Sequence, residues 1–248
     1  MKRTTQPRPL GLILWEGRSR IDGSPVVVIA NGFRGSKNVK TGNMLQVWIL
    51  RADMPPIETR KAGLNKLRAI CGNCPLMGKL CYVRVEQAPR AIYKAWLAGR
   101  YERYVPAKHD FLFSSRCVRF GAYGDPAAAP YDLWEHLWLI SAGHTGYTHQ
   151  HADPRFKQFA NLVMASVESP AAAKAAQSAG WRTFRMGLGA EPIKGLDILC
   201  PAGRGVQCKD CGLCKGGRSK ARSIYIQGHG GKSVMRRMRE FFAGQQAA

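Results

Sequence analysis

Residues 118–140, VRFGAYGDPAAAPYDLWEHLWLI, contain the unit from which the fold is read. Val118–Ala122 is a short strand-like run, and Tyr123-Gly-Asp-Pro126 turns the chain. Tyr131–Ile140 then places Leu133, Leu137 and Ile140 at helical spacing. The same unit recurs downstream. Thr145–His149 reads as a strand before a short helix at Pro154–Leu162, and Val163–Val167 as a strand before the alanine-rich helix Pro170–Ala179, which closes at Gly180. Trp181–Met186 and Leu196–Leu199 read as two more strands, the last running directly into Cys200. Repeated strand–helix–strand units predict an α/β fold with a parallel sheet, either part of a (β/α) barrel or an open parallel sheet.

Upstream the pattern differs. Leu12–Trp15, Val26–Ala30 and Met44–Leu50 are apolar runs, with an Asp22-Gly23 hairpin signal between the first two, and predict a small antiparallel β element. Residues 1–10 read as a loose basic tail. Gly32–Gly42 is a glycine-rich basic loop whose Arg34, Lys37 and Lys40 either touch phosphates or are simply solvated. Pro55 and Pro56 break the chain, and helices at Ile57–Ile70 and Val85–Leu97 flank a first cysteine run. Four segments follow: 1–54, the β element; 55–110, helical with the first cysteines; 111–214, the βα core ending in the second cysteines; and 215–248, a basic strand and helix (Ser223–Gln227 and Ser233–Phe242).

Seven of the chain's 8 cysteines fall in two runs. Cys71, Cys74 and Cys81 lie in CGNCPLMGKLC; Cys200, Cys208, Cys211 and Cys214 lie in CPAGRGVQCKDCGLC. A thiolate is a soft anionic ligand, and C-x2-C spacing brings two sulfurs to one metal. The downstream run fits either a structural zinc held by four thiolates or an iron–sulfur cluster, including a 4Fe-4S cluster, because C-x2-C-x2-C is a spacing that wraps a cubane. The upstream run is one ligand short. It recruits Cys117, a histidine or a non-protein group; an open iron there would bind substrate or S-adenosylmethionine. Cys117 itself reads as a small core residue.

The chain has 38 Lys and Arg against 16 acids, a formal charge of +22. Such a field gathers polyanions, and nucleic acid or a nucleotide is the expected partner. Arg119, Lys215, Arg218, Lys220, Arg222 and Lys232 are the candidate phosphate contacts. No apolar run is long enough to span a bilayer, and the Gly11–Trp15 stretch is too short for a signal peptide, so the expected location is the cytoplasm, where thiols stay reduced.

In parallel α/β folds ligands bind at the carboxyl ends of the strands. Cys200 follows a predicted strand there, as do Asp125, the His149-Gln150-His151 group and Glu168. Asp125, His149, Glu168 and Arg185 are therefore the candidate catalytic residues, with the acids moving protons and the arginine holding phosphate. Asp125-Pro126 also reads as a helix cap with its N1 proline, as does Ser169-Pro170. His149 and His151 share a face if their strand continues past residue 149. GHGGKS at 228–233 is not a phosphate-binding loop, because position 226 is Ile where that motif needs glycine.

RFGAYGDP (119–126), HTGYTHQ (144–150), MASVES (164–169), GWRTFRM (180–186) and the cysteine run at 200–214 together resemble an uncharacterised cysteine-rich family carried by bacteriophages and prophages. The resemblance covers most of residues 11–230 and implies a phage context in the host cytoplasm. More distantly, the C-P-x5-C-Y run followed by βα units is similar to phage proteins related to radical-SAM barrels, but the C-x3-C-x2-C signature of that superfamily is missing, which argues against a radical mechanism. The combined expectation is a metal- or iron–sulfur-binding phage protein acting on nucleic acid or nucleotides, or else a non-enzymatic nucleic-acid-binding protein with structural zinc.

Overall fold

A run of β-branched residues cannot choose one face of a sheet, so it needs cover on both. PVVVIAN and LQVWILR are such runs, and both are buried along nearly their whole length. They become central strands rather than a peripheral hairpin. The computed structural model describes residues 8–36, 38–189, 192–217 and 222–246.

The strands, in chain order, are β1 (Gly11–Arg18), β2 (Pro25–Asn31), β3 (Leu45–Arg51), β4 (Glu102–Arg103), β5 (Cys117–Tyr123), β6 (Gly143–Thr148), β7 (Met164–Val167), β8 (Thr183–Gly187), β9 (Asp197–Leu199) and β10 (Ser223–Gln227). The helices are α1 (Pro56–Lys61), α2 (Leu64–Cys71), α3 (Ala88–Leu97), α4 (Pro106–His109), α5 (Tyr131–Ile140), α6 (Pro170–Ser178), α7 (Cys208–Cys211) and α8 (Lys232–Gln246). All ten strands join one sheet in the order β4-β1-β2-β3-β5-β6-β7-β8-β10-β9. The β1–β2 and β2–β3 pairs are antiparallel; every other pair is parallel. The predicted N-terminal β element is present, and β3 continues it into the parallel strands by pairing with β5. Among the described residues no pairing joins β4 to β9.

Alternation along the strands sorts the two faces of the sheet. Phe120, His144 and Val167 point to the face covered by α5 and α6, where Phe120 meets Trp134 with ring centroids 5.0 Å apart. Arg119, Gly121 and Tyr123 of β5, Thr145 and Tyr147 of β6, Ser166 of β7 and Phe184 and Met186 of β8 point to the other face. There the cover is made by the two cysteine loops and α8. Met164, Ile224 and Cys214 form a small apolar cluster on that face, and Met186, Ile226 and Met238 form another.

Two expectations change on the structure. The helix expected over Ile57–Ile70 is two helices, α1 and α2, because Gly63 stands at φ 98° between them, in a region that favours glycine. The strand β6 ends at Thr148, so His149 and His151 do not share a strand face; His151 turns away towards Trp181. Cys117 is half-buried at the start of β5, with its Sγ 3.6 Å from the Lys209 carbonyl.

Candidate metal-binding cavity

The cysteine loops are tied to the sheet by different means. The downstream loop is held by its backbone. Cys200 N–H donates to the Tyr225 carbonyl (2.8 Å), Cys208 N–H to the Lys40 carbonyl (2.9 Å), and the Cys214 carbonyl accepts from Gly146 N–H (3.0 Å). The upstream loop relies more on side chains: Arg237 Nη1 donates to the Lys79 carbonyl at 3.4 Å and Gln150 makes two further contacts, while Asp125 N–H donates to the Ile70 carbonyl just before Cys71 at 2.6 Å. Gln150 Nε2 donates to the Cys71 carbonyl at 3.4 Å, and its Oε1 accepts from Asn73 N–H at 3.3 Å. Between these two contacts lies Gly72 at φ 57°, where a Cβ would fall 2.1 Å from the glutamine amide, so both the backbone angle and the close approach require glycine.

Between the loops and the sheet lies a cavity of about 300 Å³. Its walls carry Cys71, Cys74 and Cys81 from the first run and Cys200, Cys208 and Cys214 from the second, together with His149, Asp125 and Arg119. A second hollow of about 10 Å³ is lined by Cys200, Cys208, Cys211 and Cys214. All eight cysteines are free thiols. Burial pushes the Cys81 thiol up to about 11 and the Cys214 thiol up to about 12, and it raises Cys71 well above the ordinary thiol range. Neighbouring thiols add to the shift: Cys74 and Cys81 on Cys71, and Cys200, Cys208 and Cys211 on Cys214. Each run therefore clusters closely enough for its sulfurs to act on one another, and a metal would have to displace their protons. As placed, no three His, Cys, Asp or Glu side chains among the described residues form a closed set around a single ion.

His149 stands just beyond β6 with its Nε2 2.9 Å from Glu168 Oε1; both side chains are nearly buried. Burial alone would lower the His149 pKa, but the Cys74 thiol beside it and the Glu168 carboxylate raise it well above the usual histidine value. Asp125 braces the site instead of facing it freely. Its Oδ1 accepts from Ala127 N–H at 3.0 Å, as the sequence expects of a cap, and its Oδ2 accepts from His149 N–H at 2.8 Å and from Gln150 Nε2 at 3.3 Å. Arg119 lines the cavity with Nη2 3.0 Å from Tyr82 Oη. Tyr147 shares a hydrogen bond with the Cys214 thiol.

The candidate residues therefore divide. His149, Asp125 and Arg119 line the cavity with the cysteines, and Glu168 stands behind His149. Arg185 does not line it: this side chain is buried beneath, its Nε 2.6 Å from Asp197 Oδ2 and its guanidinium 4.3 Å above the Tyr225 ring. Lys215, Arg222 and Lys232 are exposed, and Arg182 ties Lys215 to Arg222 through their carbonyls. Arg218 and Lys220 lie outside the described residues, as does Lys37. Arg34 donates to the Arg8 carbonyl at 2.9 Å and is exposed, whereas Lys40 of the same loop reaches the cavity. Tyr82, Tyr147 and His229 also line the cavity. Tyr82 and Tyr147 were not singled out from the sequence, whereas His229 lies in GHGGKS at 228–233, which fails the phosphate-loop motif but leaves a generic phosphate contact open. The only signal for Tyr147 was its alternation with Arg119 and Thr145 on one sheet face; Tyr82 simply follows Cys81.

No protein-family model, curated protein or solved structure matches the chain. No helix among the described residues is long and apolar enough to cross a membrane.

Proposed function

We propose that this protein is a metal- or iron–sulfur-dependent enzyme that acts on a nucleotide or nucleic acid in phage DNA metabolism, with its chemistry in the cysteine-lined cavity. The observation that carries this reading is the meeting of two cysteine runs, distant in sequence, on one cavity against the sheet face opposite α5 and α6, beside the His149–Glu168 pair that stands just past the carboxyl ends of β6 and β7. The donor chemistry fits a thiophilic centre: free thiols in two groups, half-buried except for the buried Cys214. Cys71, Cys74 and Cys81 would hold the centre that faces substrate, once their protons leave and the sulfurs close in, and the quartet of Cys200, Cys208, Cys211 and Cys214 would hold a structural one. Such a centre supplies Lewis acidity or electron transfer when bound. The chain's own residues do the rest. Glu168 orients His149 and shares its proton, Asp125 fixes the backbone that carries His149, and Arg119 offers a cationic contact to a phosphate.

A second reading rests on the smaller hollow. All four downstream thiols line a space of about 10 Å³, close to the size of one ion. With a charge of +22, this is also what a non-enzymatic nucleic-acid-binding protein with structural zinc would need. Anaerobic purification from iron-supplemented cells, followed by visible spectroscopy, metal analysis and nucleotide turnover assays, separates the two. A brown protein whose colour bleaches on reduction and which turns over a nucleotide supports the first reading. A colourless, inactive protein with stoichiometric zinc supports the second. A protein that carries neither metal and is stable without it sinks both.

A further inference from the structure

The cavity has a cationic corner that the cysteines do not explain. Arg119 is half-buried and projects into it from β5, a strand paired on both sides. Its Nε is buried and has no hydrogen-bond partner. Its electrostatic neighbours are Tyr82, Tyr147 and Cys208, none of them a carboxylate. Lys40 and His229 line the same cavity, and both Lys40 and Arg119 lie close enough to His229 to hold its pKa down, after the larger effect of burial. The Tyr82 ring joins the group, with its hydroxyl on Arg119 and its ring centroid 5.1 Å from that of His229. Among the described residues neither Arg119 nor Lys40 forms an ion pair. The nearest acid lining the cavity, Asp125, is already occupied by Ala127, His149 and Gln150.

A buried N–H left without a partner is costly unless something brings the missing acceptor, and between Arg119 and Lys40 that acceptor is an anion. Two buried arginines elsewhere in the chain each carry a carboxylate: Arg185 has Asp197, and Arg51 has Asp53. We propose that Arg119, Lys40 and His229 form an anion subsite that takes the phosphate of a small phosphorylated molecule, about the size of a nucleoside monophosphate. The guanidinium fork matches two phosphate oxygens, Lys40 adds a point charge, and His229 and Tyr82 supply further hydrogen bonds. A cavity of about 300 Å³ sits at the lower end of small-molecule sites and is too small for a duplex. The substrate of the proposed enzyme is therefore a free nucleotide and not a polymer. In naming the substrate the inference rests on the function proposed above, but the subsite itself stands without any metal.

The test is titration calorimetry on the full chain with inorganic phosphate, adenosine 5′-monophosphate and uncharged adenosine, with metal content measured on the same samples. Phosphate and the monophosphate should bind, adenosine should not, and Lys40→Gln and Arg119→Gln should each weaken binding by about tenfold or more. If Arg119→Gln does not fold, Arg119→Lys keeps the charge, loses the fork and should still weaken the monophosphate measurably. Lys40 is on a loop, so Lys40→Gln tests the subsite without risk to the sheet. Absence of phosphate binding at millimolar concentration, or binding unchanged in both Lys40→Gln and the folded Arg119 variant, overturns the inference. Anion binding by a metal-free protein would keep the subsite and sink the enzyme reading; metal without anion binding would do the reverse.

Discussion

The downstream and upstream cysteine runs cover the same face of the same sheet, yet they line spaces of very different size. The downstream loop brings four thiols around a hollow of about 10 Å³ and is stitched by backbone hydrogen bonds to β6, to β10 and to the loop carrying Lys40. The upstream loop brings three thiols to the edge of a cavity of about 300 Å³ and is pinned to the sheet through Gln150. Four thiolates closed on one ion would leave no position for substrate; an incomplete set beside a histidine and a carboxylate would leave one. The contrast points to a division of labour, with one run serving the fold and the other the chemistry.

The contrast can be broken most sharply at Cys211, which lines the small hollow but not the large cavity. Cys211→Ser should remove metal from the quartet and lower the melting temperature by more than about 10 °C, because the binding energy of a structural ion is folding energy. A melting temperature within a few degrees of wild type would remove the structural role. Next in size is Gln150→Ala. It deletes both Gln150 contacts to the upstream loop, leaving the Asp125–Ile70 and Arg237–Lys79 bonds, and should cost about 1–3 kcal/mol, with amide exchange accelerated over residues 71–81 and unchanged over 200–214. Equal acceleration in both loops would show that they are not held independently.

Cys74→Ser sharpens the comparison from the other side. It should empty the upstream site while changing stability by no more than about 1 kcal/mol, a shift of roughly 2–4 °C. The smallest effect belongs to the helix-covered face. His144 donates from Nε2 to the Leu162 carbonyl at 2.7 Å, and burial lowers its pKa below the ordinary histidine value. The neutral ring is the native form, so its contribution is fully present above about pH 6.5 and is lost as the pH falls through the lower folded value. Melting curves from pH 8 to 5 should show this loss in wild type and a flatter profile in His144→Asn. An identical slope in the variant would assign the pH dependence to other groups.

Much of the fold was legible because strand and helix periodicities are local. The helix at Tyr131–Ile140 and the strand at Ser223–Gln227 were read to their ends, since each has a clean apolar stripe or alternation between turn residues. The split between α1 and α2 was not, because one glycine outweighed a continuous helical stripe. That β3 leads into the parallel strands by pairing with β5 is a long-range fact which no window of sequence carries. For the site, carboxyl-edge logic correctly grouped Asp125, His149, Glu168 and Cys200, since the residue after a parallel strand must lie at that edge. It misplaced Arg185, which lies within β8 and points to the helix-covered face, where Asp197 neutralises it. Tyr82 and Tyr147 were missed because their roles come from which loop folds over which strand.

Metal content of anaerobically prepared wild type beside a Cys71→Ser, Cys74→Ser, Cys81→Ser triple variant tests the central claim most directly. The prediction is that wild type carries metal at both runs, and that the triple variant stays folded and keeps only the share held by Cys200, Cys208, Cys211 and Cys214. Equal metal in the two proteins, or a stable wild type with no bound metal and every thiol free to react, would contradict it.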